Sequence, residues 1–478
     1  MKKVNFVLAL AFITLTQMSS LQAQNITWDD GGDGESWFDP LNWNPNVVPG
    51  KTNDVIIDIP GLVLIESLVD TAFANSIKLD GSGIKLGLAG GLLIIESTNT
   101  TTYGVLMQGD PSFTASGRMY INKCYSDGIR MEGGNFSITE NDSLKIMGVA
   151  HNANGQGIDI RVGGYMQNDG FVSISGAGEN NFEDGIVSEG GFNNKSTGTL
   201  VIHDIEGNSS SNGIEINNSD LTNDGEIYID SIEKGSGISV SGGSSELRNY
   251  GGTITIEHIL SSARSGVAIS GGATLIGFGV LNSAKVSVAS PGSKISPGPS
   301  TRKITINGDL TMGLEAQFIL EIAGNAGAGL SGGHDLVEVN GDLILDNNDD
   351  ILDVNLLGGY SPPYVGRYTF IEYSGSLGGT FLQMNIQGHS NLWTATAESG
   401  RYDYHVKCAN NNTLICPDPS CAIYSTTFKN ESFTIMNGPH LIPSGEEVTL
   451  SAPNVTLNAG FSVEAGAIFE ILQTGCTP

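Results

Sequence analysis

Between Gly104 and Gly266 the chain repeats one short pattern of apolar and polar positions seven times. A glycine is followed by an aliphatic residue, any residue and, in most copies, another apolar one: Gly104-Val-Leu-Met, Gly128-Ile-Arg-Met, Gly157-Ile-Asp-Ile, Gly185-Ile-Val-Ser, Gly213-Ile-Glu-Ile, Gly237-Ile-Ser-Val and Gly266-Val-Ala-Ile. The glycines are 24, 29, 28, 28, 24 and 29 residues apart. Alternation inside the phrase has the two-residue period of a strand. A period in this range marks a repeat architecture whose units bury apolar surface only by stacking on one another.

A second column follows each phrase: Met119-Tyr-Ile121, Leu144-Lys-Ile146, Val172-Ser-Ile174, Leu200-Val-Ile202, Ile227-Tyr-Ile229 and Ile254-Thr-Ile256. Three residues further on stands a third: Cys124, Val149, Ala177, Ile205, Ile232 and Ile259. Three apolar stretches separated by Gly, Asn, Asp and Ser describe one coil of a parallel β-helix, with Gly and Asn turning the corners. The expected fold is therefore all-β, a right-handed parallel β-helix (solenoid), the hand following the general rule for parallel crossovers. Asn141, Asn168, Asn194, Asn223 and Asn249 precede the second strand. They read either as an inward amide ladder or as plain turn residues.

Phasing of the glycine strand points the first and third residues after each glycine inward and the second and fourth outward. Outward positions carry Arg130, Glu132, Asp159, Arg161, Val187 and Glu189. This phase sets Arg130 beside Asp159, and Arg161 between Glu132 and Glu189. Arg130, Glu132, Asp159, Arg161 and Glu189 are the candidate ligand-binding residues. The same five read equally as a salt-bridge ladder between neighbouring coils.

Segments outside the repeats divide the chain into 1–23 (signal peptide), 24–60 (N-terminal Trp-rich cap), 61–290 (repeats), 291–405 (extension) and 406–478 (small C-terminal β module). Met1-Lys2-Lys3 and the apolar run Val4 to Leu15, ending at Leu21-Gln22-Ala23, have the form of a secretory signal cut after Ala23. No later apolar run is long enough for a membrane helix, so no membrane-spanning segment is expected after cleavage. Trp28, Trp37 and Trp43 suit either a sugar-stacking platform or a cover for the open end of the coil stack. Their W…W…NW…P spacing resembles the segment that opens many exported bacterial β-helix proteins.

Ser290-Pro-Gly, Gly308-Asp-Leu, Asp335-Leu-Val-Glu-Val-Asn-Gly341, Gly366-Arg-Tyr-Thr-Phe and Gly378-Gly-Thr-Phe381 follow. Over about residues 289–382 this string resembles the C-terminal part of autotransporter passengers, which implies continuation of the β-helix without catalytic residues. The residues after 405 carry four cysteines and no series of roughly ten-residue amphipathic strands, so an outer-membrane barrel is not expected. The tail Val455-Thr-Leu457-Asn-Ala-Gly460-Phe461-Ser-Val463-Glu-Ala-Gly466-Ala-Ile-Phe469 is similar to a short stacked-repeat module near the C-termini of Bacteroidetes surface proteins. It departs from that pattern at Val455 and Asn458-Ala459. The similarity implies display outside the cell of a Gram-negative bacterium and names no chemistry.

Composition narrows the function without fixing it. With 22 basic against 51 acidic residues, a formal charge of −29, the protein would repel nucleic acid. Of five cysteines, Cys124 falls in an apolar column and reads as a buried free thiol. Cys408, Cys416, Cys421 and Cys476 form an even set that suggests two disulfides in an exported protein; the favoured of three pairings is 408–416 with 421–476. Asp346–Asp350 and Asp29–Asp33 suit Ca²⁺ or a solvated loop, so the metal question stays open and no cofactor is expected. Gly327-Ala-Gly-Leu-Ser-Gly332 matches a dinucleotide fingerprint but lies between strands with no helix to receive a phosphate. No catalytic motif appears. The expected function is a non-catalytic surface or adhesin-like protein with polysaccharide or cell-surface partners. The alternative is a β-helix polysaccharide lyase or glycosidase.

Overall fold

The computed structural model describes residues 24–66, 70–96, 103–148, 155–176, 184–206, 211–262, 264–346, 349–360, 368–381, 383–386, 393–398 and 400–406, and then 413–415, 426–429, 432–436, 441–442, 444, 447–451, 454–457 and 462–472. The signal-peptide reading and the four C-terminal cysteines fall outside them. The chain divides into two compact units, Met1–Ala268 and Ile269–Pro478. Among the described residues both are built mainly of strands, most of them paired in parallel as the rungs of a β-solenoid.

In the first unit three sheets run along the coil stack. The glycine sheet holds Ser76–Asp80, Val105–Gln108, Ile129–Glu132, Ile158–Ile160, Ile186–Ser188, Ile214–Asn217 and Ile238–Ser241. Their register puts Ile129, Ile158, Ile186, Ile214 and Ile238 in one line. All five are buried, as the phasing required.

The glycines themselves are explained by how closely the rungs approach. A Cβ on Gly157 would lie 2.4 Å from the Gly185 carbonyl oxygen and 2.6 Å from Ile174 Cγ2. Gly104, Gly128, Gly185 and Gly213 would meet the next glycine's carbonyl at 2.4, 2.6, 2.5 and 2.6 Å. Those same carbonyls accept from Val105, Ile129, Ile158, Ile186 and Ile214 N–H on the preceding rung. The column is thus a steric requirement of the hydrogen-bonded ladder.

The second column forms another sheet, with Leu144, Val172, Leu200 and Ile227 in register and buried. The third column is not a separate strand. Val149 and Ala177 lie outside the described residues; Cys124, Ile205, Ile232 and Ile259 each follow a residue held at positive φ, Lys123 (57°), Asp204 (57°), Ser231 (56°) and His258 (47°). That left-handed residue swings the chain so that Cys124, Ile205 and Ile232 point inward again.

The remaining sheet was hidden in what looked like corners. It comprises Gly134–Ile138, Gly164–Asn168, Gly191–Asn194, Asp220–Asn223 and the start of Glu246–Ile256. Phe136, Met166, Phe192, Leu221 and Leu247 fill the core from it. The asparagines end these strands and do form a ladder. Asn168, Asn194 and Asn223 each donate from Nδ2 to Oδ1 of Asn194, Asn223 and Asn249, every link 2.8 Å. Asn141 is the exception. Ile138 occupies the ladder position on its rung, and Asn141 is an exposed turn residue at φ 69°.

At the N-terminal end Gln24–Trp28 runs parallel to Asn53–Ile57, while Trp43–Asn44 pairs antiparallel with its Thr27 and Trp28. Trp28, Trp37 and Trp43 are buried, with ring centroids 4.9 Å apart at steep angles. Rings packed this way offer no open face for a sugar, so the stacking-platform reading loses its basis.

The second unit has parallel rungs with longer coils, since register partners such as Ile304, Val337 and Ile371 are 33 and 34 residues apart. Ile304, Val337 and Ile371 share one line, Leu310, Leu343 and Leu377 another, and Phe318, Leu352 and Met384 a third. The glycine-rich loop 327–332 joins two of these rungs, with Gly327, Gly329 and Gly332 at positive φ. Arg401–Val406 then pairs antiparallel with Tyr368–Tyr373 and with Trp393–Glu398. Further on, Thr426–Lys429, Glu447–Ser451 and Ile468–Leu472 pair in parallel.

Candidate functional site

The five candidate residues do converge on the outer side of the glycine sheet, with one pairing corrected. Arg130 and Asp159 are register partners on adjacent rungs, and Arg130 Nε lies 3.8 Å from Asp159 Oδ2. Arg161 Nε donates to the same oxygen at 2.8 Å, and Arg161 Nη1 approaches Glu189 Oε2 at 3.7 Å. Glu132 does not pair with Arg161. It accepts from Arg130 Nε at 3.0 Å and from Gln108 Nε2 at 2.6 Å. Same-face neighbours two residues apart on one strand lie within reach of a long arginine, and here they win over the across-rung partner.

Asp159 was expected to face solvent, but only 1% of it is exposed. Burial pushes its carboxyl above the ordinary range, and the Arg161 hydrogen bond opposes that shift. Beside it lies Asp127, 3% exposed, which the sequence reading passed over. Burial raises its pKa to about 6, against the opposing hydrogen bond from the Gln156 N–H. Arg130 Nη1 stands 3.6 Å from Asp127 Oδ2 and donates to the Tyr103 hydroxyl at 3.2 Å, its guanidinium 5.2 Å from the Tyr103 ring centroid. Asp127 Oδ2 and Asp159 Oδ1 are both buried without a hydrogen-bond partner.

Asp127 begins a column that also has a structural task. On four successive rungs the residue before the phrase glycine accepts from the backbone of the next rung. Asp127 Oδ1 takes the Gln156 N–H at 2.8 Å, Gln156 Oε1 the Asp184 N–H at 2.8 Å, Asp184 Oδ1 the Asn212 N–H at 2.5 Å, and Asn212 Oδ1 the Ser236 N–H at 2.9 Å. A polar residue before each glycine was the available signal, and it resembles ordinary loop chemistry. In this setting the arginines are committed: Arg130 to Asp127, Glu132, Asp159 and Tyr103, and Arg161 to Asp159 and Glu189.

The other candidates resolve as follows. Cys124 is a buried free thiol, its pKa raised to about 12 by burial. Asp33 Oδ1 accepts from the Glu35 and Ser36 N–H groups and from Asn42 Nδ2 at 2.7 Å, which holds its pKa below the usual value. Asp350 is buried, takes the Asp346 N–H at 2.6 Å, and has its pKa raised to about 6 by burial. Among the described residues no three His, Cys, Asp or Glu side chains are grouped to hold a metal ion, and no helix is long and apolar enough to cross a membrane.

In the second unit Asp335 is fully buried, accepting from the Arg302 N–H at 3.0 Å and the Glu321 N–H at 2.8 Å. Burial outweighs those bonds and lifts its pKa to about 9.

Comparison with known proteins adds no relative: no protein-family model and no curated protein matches this chain.

Proposed function

We propose that this is an exported, non-catalytic surface protein of adhesin-like type, which binds glycans or cell-surface partners through the outer face of its coils. The observation that carries this reading is the mutual ion pairing of the Arg130–Arg161 cluster. An enzyme acting on an acidic sugar needs a free cation for the substrate carboxylate and a free base. Here two arginines already serve four carboxylates, Asp127, Glu132, Asp159 and Glu189. The cluster is better suited to bracing neighbouring rungs than to receiving a substrate.

The leader, the right-handed coil and the passenger-like and stacked-repeat segments belong to the same reading. They rest on the sequence patterns given above. Incubation of the purified protein with a polysaccharide panel tests it, with retention and released product both measured. Retention without product supports the proposal. Release of unsaturated or reducing sugar, abolished by Asp159→Ala or Arg161→Ala, overturns it in favour of the lyase or glycosidase alternative.

A further inference from the structure

A groove of about 580 Å³ opens on the outer side of the second-column sheet, around Phe171, away from the charged cluster. Phe171 is half-buried and projects from the outward row of its strand. Its register neighbours on the flanking rungs are Ser143 and Thr199. Rungs stand about 4.8 Å apart, so a ring between two short hydroxyl side chains keeps part of its surface open. Glu140, Asp142, Lys145 and Thr197 are also among the lining residues. Lys145 Nζ stands 5.9 Å from the Tyr120 ring centroid on the preceding rung. Thr197 is anchored through its hydroxyl to the Asp169 carbonyl at 2.8 Å.

We infer that this groove is a subsite for a neutral glycan chain, with Phe171 stacking on a sugar ring and Asp142, Lys145 and Thr199 meeting its hydroxyls. A pyranose has one apolar face of C–H groups and a rim of hydroxyls, and the groove has an aromatic surface ringed by donors and acceptors. Charge selects among glycans. Glu140 and Asp142 against Lys145 leave the groove net negative, and the chain as a whole carries −29. A polyuronate or sulfated chain is repelled from such a surface, whereas a neutral one is indifferent to it. The groove is open to solvent and not enclosed, which suits a segment of polymer more than a sequestered monosaccharide. This subsite rests on the glycan-binding reading above and makes it specific.

Affinity electrophoresis of the full chain through gels containing soluble β-glucan, mannan or xylan, with polygalacturonate as the acidic comparator, tests the inference. The expected result is retardation by at least one neutral polymer and none by polygalacturonate. Phe171→Ala should weaken that retardation at least tenfold, while Tyr165→Ala, an exposed aromatic on a different sheet, leaves it unchanged. Retardation that survives Phe171→Ala overturns this subsite but keeps glycan binding. Retardation by polygalacturonate alone overturns the charge argument, and no retardation by any polymer overturns glycan binding altogether. Circular dichroism of both variants confirms that they fold.

Discussion

Replacing Gly157 by alanine adds one methyl group where two rungs already touch. The new Cβ would sit 2.4 Å from the Gly185 carbonyl oxygen and 2.6 Å from Ile174 Cγ2, so something must move by the better part of an ångström. The first contact is backbone and accepts the Ile158 N–H at 3.0 Å, so relief stretches a ladder hydrogen bond. Overpacking of this kind costs about 1–3 kcal/mol, and a weakened ladder bond adds up to about 1 kcal/mol. Loss of unfolded-state freedom returns roughly 0.4–1 kcal/mol. The net expectation is a destabilisation of about 1–3 kcal/mol. Gly61→Ala is the matched control, because its Cβ would meet nothing within 4 Å; with only the unfolded-state effect acting, it should be unchanged or up to about 1 kcal/mol more stable than the parent. Urea denaturation followed by the fluorescence of the buried tryptophans and by far-UV circular dichroism gives both midpoints. Equal midpoints for the two variants would refute the close-approach explanation of the glycine column.

Three further outcomes are expected. Asn194→Leu cuts the amide ladder, stranding the Asn168 donor and the Asn223 acceptor. It should cost about 2–4 kcal/mol, and a midpoint unchanged from the parent would show that the ladder contributes nothing. Asp335 keeps in the folded state a proton that the unfolded chain releases near pH 4, since its folded pKa is about 9. Its contribution is therefore complete below the unfolded pKa and declines as pH rises toward 9, at up to about 1.4 kcal/mol per pH unit. Asp335→Asn should flatten that slope in denaturation midpoints measured from pH 5 to 9, and an equally steep variant contradicts the assignment. Cys124, with its thiol pushed to about 12 and buried, should resist a thiol reagent at pH 8 until denaturant is added. Rapid labelling in the native state would place it elsewhere.

Different parts of the molecule were legible to different degrees, for physical reasons. The glycine phrase was readable because one residue type recurs wherever backbones meet. Ile129, Ile158, Ile214 and Ile238 then follow from strand alternation. The strand around Phe136 and Phe192 was not readable as a strand. From the Met166 rung onward its next inward position is asparagine, and Asn normally signals a turn. Only the stack of rungs makes an inward amide favourable, because each Asn is satisfied by the one above and below. Asp127 was missed for a similar reason: a polar residue before glycine looks like a loop until its carboxylate is seen to cap the next rung. The Glu132–Arg161 pairing failed because phasing counts neighbours across rungs and ignores the reach of Arg130 along its own strand. The Phe171 groove had no sequence signal, since a lone outward aromatic means little without its short neighbours on both rungs.

The solenoid exists only if its rungs stack in phase, and a pair of engineered cysteines reads that phase directly. Ser173 and Val201 are outward register partners on adjacent rungs, and parallel neighbours about 4.8 Å apart fall within disulfide range. Mild oxidation of the Ser173→Cys/Val201→Cys double variant, followed by peptide mass mapping, should yield a 173–201 crosslink. Val201→Cys combined with the inward-pointing Ile174→Cys should yield none. A crosslink in the second variant and not the first would mean that the strands pair one residue out of step, which contradicts the solenoid described here.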